Sequence, residues 1–245
     1  DLLVTTGLRD ELPDLAGLRD RWAQDVLHCP YCHGYEVRDR RLGVLANGSG
    51  SVRYALIVRQ WSDDVVYFTG TSTLTPTERT QLLARRIEPV EGPITRLVIE
   101  PDDQLAGLLL ADGQVVACDA LFVPPRFVPH DELLTGAGCD LDERGWVTAD
   151  LEGRTSVLGL WAAGNVVDPR AQVITAAGAG SAVAIALNAD LVAEDVDLAV
   201  QDLRHGINVG PGPAPAPAPK HAPTSTAAPT PTPASTPTPT PKESS

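Results

Sequence analysis

Methionine is absent from all 245 residues, and positive charge is scarce: 19 Lys plus Arg stand against 32 Asp plus Glu, a formal net charge of −13. That balance excludes a nucleic-acid face, which needs a basic surface to meet phosphates. It excludes an anionic lipid surface for the same reason. No unbroken apolar run approaches the roughly 20 residues that span a bilayer, so no membrane segment is expected. Cysteine is limited to four residues, which suits a reducing cytoplasm. Without methionine there is no natural start. No signal peptide is visible, and Asp1 leads straight into the apolar Leu2-Leu3-Val4. The chain is therefore expected to be a fragment or processed product of something longer.

A hydrophobic content of 43% supports one or two globular units with real cores. Past Gly210 the composition breaks, and residues 211 to 245 hold 12 of the 22 prolines. Proline removes a backbone donor and fixes φ. Residues 206 to 245 are thus expected to form a disordered Pro/Ala/Thr-rich tail, a linker or a partner-binding arm.

Before the tail, strand and helix patterns alternate. Arg41 to Ala46 reads as a short strand, Asn47-Gly48-Ser49-Gly50 as a glycine turn, and Val52 to Trp61 as a helix. Val65 to Phe68 is a second strand and Thr77 to Arg86 a second helix, capped by Thr75 or Thr77. This β-turn-α-β unit is the core of a nucleotide-binding half. Ile94 to Ile99, Leu105 to Leu110, Val115 to Ala117 and Ala120 to Val123 suggest an antiparallel meander that returns to the parallel sheet. Leu160 to Gly164 reads as a buried strand with a glycine stop. Ala171 to Leu191 reads as a long helix whose small residues Gly178, Gly180 and Ser181 allow close packing on a backbone or a flat ligand.

Cys29-Pro30-Tyr31-Cys32-His33 is the motif with explicit chemistry. Two thiols at this spacing can close into a small ring and pass two electrons by exchange. Zinc would need a second Cys/His pair at ligand spacing, and none stands in the sequence. Covalent haem attachment fits C-x-x-C-H letter for letter, although a c-type cytochrome usually adds an axial methionine. A buried pair without chemistry stays open, since free cysteine often acts as a small hydrophobe. In the exchange reading Cys29 and Cys32 react, and His33 is near enough to carry the proton, a task that suits an imidazole. His28 is read as an electrostatic neighbour.

The glycine turn is a poor dinucleotide fingerprint. G-x-G-x-x-G/A would set glycines at positions 46, 48 and 51, where this chain has Ala46, Gly48 and Ser51. NAD(P) contact would fall to Gly48 and Ser51, without the first glycine that permits the tight turn. The strand end Tyr67 to Ser72 offers neither an acidic residue for a ribose nor arginines for a 2′-phosphate.

In this order the blocks resemble the low-molecular-weight thioredoxin reductase-like flavoproteins. The likeness rests on Leu2 to Gly7 with Glu11-Leu12-Pro13, on Cys29 to Gly34, and on the turn Ala46 to Ser51. It rests further on Gly159 to Asn165 and Gln172 to Gly178. The stretch Cys29 to Glu36 looks most like the branch containing the gliotoxin and holomycin dithiol oxidases. The resemblance implies an α/β protein with two Rossmann-like nucleotide-binding domains, the FAD domain being incomplete. Residues 1–24 and 146–205 would belong to that FAD domain, and 25–145 to an inserted NAD(P)-type domain with the dithiol. FAD would lie beside Gly164 and Asn165, with the backbone amides of Gln172 and Val173 toward its ring. Cys32 would be the flavin-side thiol. Cys29 would exchange with a small-molecule dithiol or disulfide, or with a thioredoxin-like protein. NAD(P)H would be the donor in a reductase, and oxygen the acceptor in an oxidase. A cytoplasmic homodimer is implied for the full-length form. Three departures stand out. The FAD glycine fingerprint lies outside the chain, Asn165 replaces an aspartate of many relatives, and Gly70 and Thr71 replace paired arginines. The rival expectation is a truncated, non-catalytic remnant whose tail serves interaction.

Overall fold

The computed structural model describes residues 1–205, so the tail expected at 206–245 lies outside the described residues. A compact unit covers Asp1–Val192, and a second begins at Ala193 with the C-terminal turns of the last helix. In chain order the elements are β1 (Leu2–Val4), β2 (Leu8–Glu11), β3 (Val26–Leu27), α1 (Pro30–His33), β4 (Leu42–Leu45) and α2 (Ser51–Val58). Next come β5 (Val65–Phe68), α3 (Pro76–Ala84), β6 (Ile87–Val90), β7 (Ile94–Ile99), β8 (Leu105–Leu110), β9 (Val115–Ala117) and β10 (Ala120–Phe122). The last are β11 (Arg126–Pro129), α4 (Glu132–Gly136), β12 (Leu160–Ala162) and α5 (Val173–Arg204).

The dithiol-bearing region is built on a parallel sheet of order β3-β10-β4-β5-β6. Its strands are short apolar runs because both faces are covered. Side chains alternate along each strand. Val65 and Tyr67 therefore join Val52, Ala55 and Val58 of α2 and Leu82 of α3. Val66 and Phe68 join Leu97, Leu108 and Val116 of the antiparallel sheet β7-β8-β9. Burial of a side chain such as Phe68 contributes about 1.5–3 kcal/mol. The expected α/β architecture and meander are present, and the meander covers the face that a doubly wound sheet gives to helices. Leu12, Leu15, Leu18 and Trp22 pack on the same core, so packing runs across the expected boundary at 24/25. Helix α3 begins at Pro76, one residue before the expected Thr77, with Thr75 rather than Thr77 as its cap. Thr75 and Glu78 form a reciprocal capping box, with Pro76 in the first turn.

Strand β2 pairs antiparallel with β11, placing Asp10 opposite Phe127. Strand β1 pairs parallel with β12, placing Leu3 opposite Trp161. One face of that pair buries Val4, Ala162, Val147 and Val166, and the other buries Trp161 and Ala163 against Val183 of α5.

One expectation needs correction. Helix α5 runs 32 residues and is long and apolar enough, by length and composition, to cross a bilayer. The sequence hid this because alanine and glycine carry the apolar character while Thr175, Ser181 and Asn188 interrupt it. Core helices of soluble proteins meet the same criterion but are mostly buried, whereas 6% of this apolar window is buried.

Candidate redox site

Strand β3 delivers the chain to His28, and Cys29 takes the N-cap position of α1. Pro30 follows at the first helical position, where its missing N–H has no intrahelical partner to lose. One helical turn then brings Cys32 back over Cys29. The two are joined as a disulfide with Cα atoms 5.2 Å apart, and the Cys32 backbone N–H donates to Cys29 Sγ at 3.2 Å. Cys29 is buried and Cys32 exposed. Gly34 completes the turn because a Cβ there would stand 2.4 Å from both Pro30 O and Trp61 Nε1. Only glycine lets Trp61 seat against α1.

His28 is stacked on Trp22 with ring centroids 5.7 Å apart and meets Phe127 of β11 edge-on at 6.1 Å. Its carbonyl accepts from the Tyr54 hydroxyl of α2. Burial pushes the His28 imidazole below its ordinary pKa; Asp10 acts the other way and His33 adds to the depression. His28 is thus neutral at pH 7 and serves packing. His33 is the accessible imidazole of the motif, with Nδ1 3.6 Å from Glu36 Oε2.

The second wall comes from the start of α5. Gln172 Oε1 lies 3.6 Å from Cys32 Sγ and Nε2 lies 3.9 Å from Cys29 Sγ. The next two residues, Val173 and Ile174, are 89% and 80% exposed, leaving two apolar side chains uncovered at the start of α5. The first amides of any helix have no intrahelical acceptor, so this start also offers N–H donors. Gly164 follows β12 at φ +79°, where a Cβ would stand 3.8 Å from Ala176 Cβ. Asn165 spends its amide on the carbonyls of Asp168 and Ala171, 3.0 Å each, which shapes the approach to α5. A cleft of about 430 Å³ opens alongside, lined by Gly164, Thr175 and Ala179 and edged by Asp142, Asp150 and Asp168.

Gly48 and Ser51 form a closed turn between β4 and α2. The Ser51 hydroxyl donates to Gly48 O at 2.8 Å and accepts from Asn47 N–H at 3.0 Å, so it is committed locally. Beyond the end of β5, a second cleft of about 570 Å³ is lined by Thr69, Thr71, Ser72, Thr73 and Glu91. Glu91 escaped the sequence reading because it arrives from beyond β6. Cys118 and Cys139 are buried free thiols. Burial, helped by Asp119, pushes the Cys118 pKa up to about 12, so Cys118 is a packing residue. The described residues hold no cluster of three or more His, Cys, Asp or Glu able to bind a metal ion.

A parallel α/β sheet that carries a bonded C-x-x-C turn against a distant helix start defines a disulfide-bearing protein of nucleotide-binding architecture. The chain belongs to the pyridine nucleotide-disulphide oxidoreductase family, which it matches over residues 1–181. It is similar to the crystal structure of HlmI, with 54% identity and a TM-score of 0.81, covering 84% of this chain and 64% of that one. It is also similar to thioredoxin reductase sirT of Leptosphaeria maculans, 26% identical over 80% of this chain and 64% of the relative. A third relative is an alkyl hydroperoxide reductase component from Pseudomonas putida, 25% identical over 76% of this chain. The chain spans 64% of the length of sirT and 37% of that of the peroxide reductase component.

Proposed function

We propose that this chain carries the dithiol of an FAD-dependent thiol–disulfide oxidoreductase. The observation that carries the reading is the Cys29–Cys32 disulfide held against the start of α5 by a turn that only Gly34 allows. Cys32 and the exposed Val173–Ile174 surface suit a flat ring, and the Gln172 and Val173 amides suit its polar edge. Carboxylates at the cleft suit ribityl hydroxyls, which donate. Among the described residues lining that cleft there is no cation for a pyrophosphate. When bound, the flavin supplies a two-electron relay that returns the dithiol to the disulfide.

The exchange itself falls to the chain's own residues. A substrate thiolate attacks Cys29 Sγ, the Cys29–Cys32 bond breaks, and Cys32 leaves as thiolate. The second substrate thiol then displaces Cys29, giving substrate disulfide and a dithiol on the protein; two electrons and two protons have moved. His33, near the leaving sulfur in sequence and accessible to solvent, takes or returns a proton. Cys29 is buried, so the α1 turn must open for this attack. The substrate is a small-molecule dithiol or a thioredoxin-like protein, in keeping with relatives named for thioredoxin and hydroperoxide reduction.

Electron flow from the substrate, rather than from NADPH, is favoured at the second cleft. Among the described residues its lining contains Glu91 and no basic side chain, and a carboxylate repels a 2′-phosphate. Anaerobic titration of the FAD-loaded protein tests this. A small dithiol is expected to bleach the flavin band, and NADPH to leave it unchanged. Rapid bleaching by NADPH would reverse the assignment. Cys32→Ser is expected to keep flavin and lose bleaching by dithiol.

A further inference from the structure

We propose that the side-chain amide of Gln172 is a catalytic group of the dithiol, one that binds the reduced pair more tightly than the disulfide. The inference deepens the exchange reading of Cys29 and Cys32 and rests on it.

Gln172 precedes α5 and is 140 residues from Cys32 in sequence, yet its amide touches both sulfurs, at 3.6 Å and 3.9 Å. These are the polar contacts of its side chain among the described residues. An amide has a donor end and an acceptor end. In the disulfide neither sulfur bears a proton, so Oε1 faces Cys32 Sγ with nothing to accept. Reduction changes that. An external dithiol forms its own disulfide, the Cys29–Cys32 bond breaks, and two electrons and two protons pass to the pair. Cys32 Sγ–H can then donate to Oε1. Cys29 Sγ accepts from Nε2–H, and it keeps the Cys32 backbone N–H that already stands 3.2 Å away. When Cys29 gives its proton to solvent or His33, both bonds become charge-assisted and about twice as strong.

A group that gains interactions in one state shifts the equilibrium toward that state by the difference. Gln172 has little to offer the disulfide and two hydrogen bonds to offer the dithiol. One ordinary hydrogen bond shifts an equilibrium about fivefold, and two weak ones to sulfur about tenfold together. Because Cys29 is buried, an unpaired thiolate there would be costly, and the amide offsets that cost. Gln172 itself is exposed and lies outside the helix, so the fold does not depend on it.

The test uses the full chain equilibrated in dithiothreitol redox buffers, with the thiols trapped by alkylation and the dithiol fraction read by mass. Gln172→Met keeps length and removes the amide; Gln172→Glu keeps shape, removes the donor and adds a charge that repels thiolate. The reduction equilibrium constant is expected to fall about tenfold in Gln172→Met, a potential about 30 mV more negative. Gln172→Glu should fall further. Constants within about twofold of wild type in both variants would overturn the role, since hydrogen bonds of ordinary strength would be missing. If thermal unfolding shows Gln172→Met to be destabilised, the isosteric Gln172→Glu decides alone. A wild-type pair that takes up no hydrogens from dithiothreitol would instead overturn the exchange reading, so the two failures are distinguishable.

Discussion

Burial fixes the ionisation of three residues around the parallel sheet. It raises Tyr54 and Tyr67 above the ordinary tyrosine value of 10.0, and Cys118 from 9.0 to about 12. Each folded pKa exceeds its unfolded one, so the stabilisation is whole below about pH 9. It fades as the unfolded chain ionises and is lost as pH climbs through the folded values. Denaturant midpoints should therefore hold steady near neutrality and fall from about pH 9 through the folded Cys118 value of about 12. Tyr54→Phe should flatten part of that fall. At pH 7 it should cost about 1 kcal/mol, because the His28 carbonyl loses its donor. An unchanged alkaline slope would contradict the assignment. At this scale Cys29, Cys32 and His33 were legible because their chemistry lies within five consecutive residues. The Gln172 side chain was not, because its contact with the sulfurs depends on how the chain returns 140 residues later. Glu91 was missed for the same reason, since its place in a cleft follows from strand order.

Local signals set most elements of the parallel sheet. Apolar runs bounded by turn residues marked β4 and β5, and of the two cap candidates Thr75 and Thr77, Thr75 is the one that caps α3. The ribbon of β2 and β11 was not readable, because its four-residue strands mix charge and proline and are defined by pairing across the chain. Helix α1 is a single turn, too short for periodicity, and its position depends on one glycine. Gly34→Ala would drive a methyl group into Pro30 O and Trp61 Nε1. Overpacking of this kind costs about 1–3 kcal/mol. The variant is expected to unfold at lower denaturant and to reduce its disulfide at an altered rate, followed by stopped-flow with dithiothreitol. Wild-type stability together with a wild-type rate would show that the Trp61 contact does not position the turn.

Across the whole molecule, one structural relation links the sheet to the chemistry. A dithiol turn built on β3 of the parallel sheet meets a helix start that follows β12 of a separate strand pair. The measurement that reaches the central claim most directly is the mass of the tryptic peptide holding Cys29 and Cys32. It would be taken from the FAD-loaded protein before and after anaerobic exposure to a small dithiol, with thiols trapped at once. The account predicts that the peptide gains two blocking groups after the dithiol, one on each of the two cysteines, and none when air is admitted before trapping; an unchanged peptide mass would contradict it.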